Sequence, residues 1–354
     1  MKVRFLTIFL LITVFSMSFA GGKKDSANDG YVPEARDNVV VYAYDSFVAD
    51  WGAGPEIVRL FEAKTGIKVT LISAGDAAEV LSRAILEKEA PKADVLIGID
   101  NQLAEKAFEA DILEGYLPTD GEYLLKDDLQ LVGDWRLTPY DWSTFSFIFD
   151  TIAGIKTNVP EPASLFELTR PVYKKKIILM DPRTSTPGLG FVSWTLEVIG
   201  KGNPFSNAFT SFWTSLKPNI LTMAPGWDAG YGLFTAGEAP LVISYTTSEA
   251  YHVFDGESDR YKALSFAEGH IAQVEYAGLV KNCGNKAGGQ KFIDYLISTE
   301  AQQVLPATQW MYPANKYVEL PSCYNNVEVP ERILTVNSED LDSAVNKVID
   351  LLSK

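Results

Sequence analysis

Several strand ends expected from this sequence carry aromatic and acidic side chains at close spacing. The first apolar run leads into Tyr44-Asp45-Ser46-Phe47, with Trp51 soon after. The second leads into Asp76, and the third ends at Asp100-Asn101. A later run ends at Ser244-Tyr245-Thr246-Thr247-Ser248, with Tyr251 behind it, and Trp227 and Gln309-Trp310-Met311-Tyr312-Pro313 complete the set. A ring face attracts a cation through its quadrupole, by roughly 0.5–2 kcal/mol depending on desolvation. It also stacks on a flat heteroaromatic ring. Together these residues suit a flat or cationic ligand, although any one ring taken alone reads as core packing.

Asp76 has two readings. It can cap a helix by accepting from the first amides, or its second oxygen can accept from a ligand amine. Asp45 and Asp100 are weaker candidates of the same kind. Ser185, Thr186 and Gly188 stand just before an expected helix, where free amides and hydroxyls bind anionic oxygens; a capped surface turn is the alternative. Arg183 could assist a phosphate or pair with Asp181. No GK[ST] follows, so the turn is not a P-loop.

Signatures of catalysis are missing. There is no G-x-S-x-G. Cys283 lies in NCGN, which reads as a turn, and His270 in EGH has no visible partner. With two histidines and two cysteines, His252, His270, Cys283 and Cys323, and no paired spacing, no structural zinc site is expected. The cysteines could form one disulfide or stay free.

These groups need a scaffold, and the sequence supplies an alternating one. VVVYAY (39–44), KVTLISA (68–74) and ADVLIGID (93–100) read as buried strands. Between them, Pro55 opens a helix that Gly66 stops, and Asp76 with Glu79 has capping-box spacing. A second set comprises FSFIFD (145–150), KKIILMD (175–181), helices near 188–200, 207–217 and 226–237, and the strand APLVISY (239–245). A helix ending near Ser298 and an amphipathic helix near 338–352 close the chain. Strand–helix alternation implies an α/β protein with a mainly parallel sheet covered on both faces. A chain of 354 residues exceeds what one core usually holds. Two lobes with a cleft between them are expected, at the carboxyl ends of the strands.

The first twenty residues read as a secretory signal peptide: Lys2 and Arg4, an apolar run from Phe5 to Phe15, then Ser18 and Ala20. Residues 21–38 read as a flexible leader. The first cysteine is Cys283, so no cysteine stands near the cleavage point to carry a lipid. The net charge of −15 opposes nucleic-acid or anionic-membrane binding and suits a cationic ligand or plain solubility.

VYAYDSFVADWGAGP (41–55), KADVLIGIDN (92–101), DPRTSTPGLG (181–190), GWDAGYGLF (226–234), LVISYTTSEAYH (241–252), FAEGHIAQVE (266–275) and QWMYP (309–313) together resemble the periplasmic thiamine-binding proteins of bacterial ABC importers. The resemblance implies a type II periplasmic-binding-protein fold, with residues 39–140 and 273–354 in one lobe and 141–272 in the other. It implies thiamine, thiamine monophosphate or thiamine diphosphate as cargo rather than cofactor, with no cofactor needed. A monomer is expected, working in the periplasm with an ABC permease and its ATPase. Tyr44, Trp51 and Tyr245 would hold the aminopyrimidine, with Asp76 and Ala77 at its polar edge. Trp227, Tyr251 and Trp310 would enclose the thiazolium, and Ser185 and Thr186 would meet the hydroxyethyl or phosphate end. Two rivals share the fold. Thiaminase I degrades thiamine with a cysteine in its first lobe, and the early part of this chain has none. A ferric-iron binder would use Tyr245 and Tyr251, but iron gains nothing from aromatic walls.

Overall fold

Short β-branched and aliphatic runs pair into the strands that carry the site. The computed structural model describes residues 35–131, 134–257, 259–334 and 340–354. The signal-peptide reading and most of the leader lie outside the described residues. Among them, strands form at β1 (Val39–Ala43), β2 (Val69–Ser73), β3 (Val95–Asp100), β4 (Leu113–Glu114), β5 (Thr138–Asp150) and β6 (Ile177–Met180). The later strands are β7 (Ile220–Ala224), β8 (Leu241–Tyr245), β9 (Tyr261–Ala263), β10 (His270–Val280), β11 (Tyr312–Pro313) and β12 (Ile333–Leu334).

The main order is β2-β1-β3-β10-β5-β8-β6-β7. β2, β1 and β3 run parallel, as do β8, β6 and β7. Between these parallel sets lie the two long strands β5 and β10, antiparallel to each other and to their outer neighbours. β5 pairs with β10 through Thr138–Thr144 and then with β8 through Phe145–Phe149. One strand therefore serves both halves of the sheet. The expected α/β sheet is present but mixed rather than mainly parallel: each outer set is parallel, and the long central strands pair antiparallel with each other and with their neighbours, which the alternation did not signal.

Helices cover the sheet where their capping chemistry places them. The helix Ala53–Thr65 ends at Gly66, whose φ of 73° is the left-handed geometry glycine tolerates. The helix Ala77–Leu86 starts on a complete capping box between Asp76 and Glu79. The helix Thr186–Thr195 follows Ser185 and is buried along its whole length. Trp227–Thr235 and Ser248–Phe254 begin just after the ends of β7 and β8. Strand ends and helix starts thus meet at one edge of each half, where the site residues lie.

Candidate functional site

A cleft with about 630 Å³ of atom-free space, counting its open mouth, gathers side chains from both halves. Tyr44, Trp51 and Asp76 reach it from the first half. Thr186, Trp227, Tyr245 and Tyr251 reach it from the second, and Trp310 comes from the later chain. Two expected members stand behind the lining. Ala77 is buried and lends its amide to Asp76 Oδ1 at 2.8 Å, and Ser185 is fully buried at the start of its helix.

Tyr44 is almost completely buried, and its hydroxyl donates to Glu275 Oε2 at 2.7 Å. Trp227 is stacked on Tyr231 with centroids 4.7 Å apart, and its Nε1 donates to Ser244 Oγ at 2.8 Å. Tyr231 in turn meets His252 Nε2 through its hydroxyl at 2.8 Å, and the His252 ring stacks on Tyr261. A ladder of rings therefore runs back from the cleft wall. Tyr251 and Trp310 lie 5.4 Å apart at 56°, and Trp310 also packs on Phe254. The Trp310 backbone has a φ of 56°, a left-handed geometry that costs a bulky residue about 1–2 kcal/mol. Trp51 is looser, with 49% of its surface exposed.

Asp76 caps its helix, the first of its two readings. One oxygen accepts from Ala77, and the other accepts from the Trp227 amide at 3.2 Å, tying the two halves across the cleft. Burial pushes its carboxyl up to about 6, against the amides of Ala77 and Trp227. Ser185 Oγ has no partner in good hydrogen-bond geometry, but it lies near enough for its dipole to favour the Asp76 carboxylate. A second tie joins Thr186, whose hydroxyl donates to Asp100 Oδ2 at 2.7 Å. Asp100 is fully buried and also accepts from the amides of Gln102 and Leu103. It reads as a positioning group. Asp45 is exposed and accepts from the Ser73 hydroxyl.

Arg183 is paired with Asp181 at 2.5 Å and does not line the cleft. Among the described residues, no lysine, arginine or histidine lines it. His270 Nδ1 donates to the Phe145 carbonyl at 2.7 Å, and its Nε2 accepts from the Phe266 amide. The ring is fully buried, and burial lowers its pKa. It is a structural histidine, not a base. Cys283 and Cys323 are both free and buried. No group of three or more acids, histidines or cysteines able to hold a metal ion occurs among the described residues.

Glu275 was not singled out from the sequence, yet it lines the cleft from β10 while only 6% exposed. It accepts from Tyr44, from Tyr140 at 2.7 Å and from Gln273 Nε2 at 2.8 Å. Burial pushes its carboxyl up to about 7. Asp141, its direct partner on β5, is fully buried and is pushed up well above the usual carboxylate range by burial and by the Glu275 charge. An ionisable residue within a long apolar strand was the available signal, since such groups are rarely buried without a reason. Tyr231, Ser248, Gln309 and Met311 also line the cleft; Ser248, Gln309 and Met311 stand beside expected members in sequence.

The arrangement can enclose a flat ring between aromatic walls, offer carboxylates to an amine or a cation, and exclude water. Among the described residues, neither a cysteine nor a histidine lines the cleft.

Comparison with known proteins identifies the family. Residues 90–344 match the family model of bacterial extracellular solute-binding proteins. A thiamine-binding periplasmic protein of Escherichia coli is 36% identical over 303 residues, covering 85% of this chain and 88% of the relative. One from Brucella abortus is 34% identical over 308 residues, covering 86% and 87%. The solved structure of a periplasmic thiamin-binding protein superposes with a TM-score of 0.79 at 32% identity, covering 92% of this chain and all of that one. The chain belongs to the bacterial extracellular solute-binding proteins and has their type II periplasmic-binding-protein fold.

Proposed function

We propose that this protein captures thiamine in the cleft between its halves and delivers it to an ABC permease and its ATPase. One observation carries the reading: Tyr44, Trp227, Tyr245, Tyr251 and Trp310 converge on one cleft with Asp76 and Glu275, and no cationic side chain lines it among the described residues. A heteroaromatic cation gains from the rings and the acids alike. The names of the relatives support thiamine in particular.

In this reading the aminopyrimidine lies against Tyr44, Trp51 and Tyr245, with Asp76 and the Ala77 amide at its polar edge. Trp227, Tyr251 and Trp310 enclose the thiazolium. The hydroxyethyl end, or the phosphate of an ester, meets Thr186 and the helix start behind it at Ser185. The acids around that end favour free thiamine over its monophosphate and diphosphate. Residues 39–140 with 273–354, and residues 141–272, serve as the lobes that close on the ligand. The protein acts as a monomer in the periplasm, binds no cofactor and performs no chemistry on its cargo.

Mass spectrometry of small molecules released by denaturing the purified protein tests the ligand. Calorimetry with thiamine and both esters ranks them, with sub-micromolar thiamine affinity expected. Absence of thiamine binding overturns the reading. Turnover of thiamine in the presence of a nucleophilic co-substrate overturns the claim of binding without chemistry.

A further inference from the structure

Asp141 and Glu275 face each other across β5 and β10, the strands common to both halves of the sheet. Asp141 is fully buried, and neither of its oxygens has a hydrogen-bond donor among the described residues. Glu275, its direct partner in the ladder, is the neighbouring group able to share a proton with it. Two carboxylates can form such a bond only if one of them is protonated. Among the described residues that face the pair none supplies a compensating charge. Tyr44 faces it from the end of β1, Tyr140 from β5, Tyr245 from β8, Asp100 from β3, and Tyr324 from the turn Ser322–Tyr324. None of these is a cation. Two adjacent buried acids without a counter-charge do not both ionise. Only Glu275 of the two reaches the cleft surface.

We propose that Asp141 and Glu275 are the charge-reading element of the cleft: in the empty cleft Glu275 keeps a proton, and a heteroaromatic cation seated beside it displaces that proton to solvent. Asp141 keeps its own proton throughout and shares it with Glu275. With both acids protonated the pair is neutral, and with the Glu275 proton gone and the cation bound the pair and ligand together are neutral again. The buried charge is thus conserved, which is why a cation can enter and a neutral ring of the same shape gains nothing from the pair. The inference deepens the proposed function and rests on the thiamine reading of the cleft. It adds a specificity device located at the crossing strands, where the aromatic walls play no part.

The sign follows from competition between proton and ligand. Below the pH at which Glu275 titrates, the ligand must expel a proton, so affinity rises with pH and then levels off. The experiment is calorimetric titration of the full-length protein with thiamine from pH 6 to pH 8, in buffers of differing ionisation heat to count protons. The expected result is an affinity gain of about fivefold between pH 6 and pH 7, flattening above, with close to one proton released per thiamine at pH 6. Glu275→Gln abolishes the slope. Asp141→Asn puts one neutral donor in place of another and keeps the slope. A neutral analogue with thiophene in place of thiazolium binds the wild type at least tenfold more weakly than thiamine does.

Thiamine binding with no pH dependence and no proton release overturns the pair's role and leaves the thiamine reading standing. A slope that survives in Glu275→Gln or vanishes in Asp141→Asn assigns the proton to another group and also overturns it. Equal affinity for the neutral analogue does the same. No thiamine binding at any pH overturns the reading of the cleft and this inference with it.

Discussion

The floor and the wall of the cleft are built differently. The floor is pinned: Tyr44, Glu275, Asp100 and Thr186 are buried, and each bonds a side chain or amide from another element. The wall is propped: Tyr251 and Trp310 are held by ring contacts and, at Trp310, by backbone geometry, while Trp51 stands half in solvent. A pinned floor is preorganised, so its groups lose little freedom when a ligand arrives. A propped wall can open to admit the ligand and then be ordered by it. Loss of a floor residue should therefore damage the fold, and loss of a wall residue should damage binding.

The largest expected effect is on the floor. Asp100→Ala strands the Thr186 hydroxyl and the Gln102 amide, and should cost about 2–4 kcal/mol of stability by chemical denaturation. A loss under about 0.5 kcal/mol would show that the floor is not pinned as described. Next comes Trp310→Ala, which should weaken thiamine binding about tenfold or more, the scale of a desolvated ring over a cation. An unchanged calorimetric affinity removes Trp310 from the wall. Trp51→Ala should cost only about threefold, because a half-exposed ring offers a cation little in water. A loss equal to that of Trp310 would mean that Trp51 folds over the ligand and would erase the distinction between loose and firm wall. The smallest effect is spectroscopic: intrinsic tryptophan emission should be quenched as thiamine saturates, less so in Trp310→Ala than in Trp51→Ala. A flat titration of the wild type counts against Trp51, Trp227 and Trp310 all approaching the ligand.

Local chemistry made much of this legible beforehand. Gly66 and the Asp76–Glu79 box set two helix ends in sequence, and both appear. The strands at 39–43, 95–100, 177–180 and 241–245 are continuous apolar runs, and buried parallel strands look like that. β5 was expected to begin at 145 and begins at Thr138. Its first half reads TPYDWST, where a proline and an acid hide a strand whose pairing comes from β10, far away in sequence. β7, ILTMA, was not expected at all; three of its five residues are only partly buried, so its pattern is weak. The same limit applied to the site. Eight of the ten expected residues line the cleft because strand ends of an α/β sheet converge there. Glu275 and Asp141 lie within strands, and their adjacency is a matter of register that no local pattern encodes.

The left-handed backbone at Trp310 reverses an ordinary rule of substitution. Glycine is normally worse than alanine in a folded chain, but at a φ of 56° alanine keeps the strain and glycine removes it. Trp310→Gly should therefore melt at a higher temperature than Trp310→Ala, while neither retains the ring. Selection for heat resistance alone would weigh that relief only against the ring contacts with Tyr251 and Phe254. Any programme that hardens this scaffold for use as a sensor has to screen for cargo retention at every round, because cargo does not enter that balance.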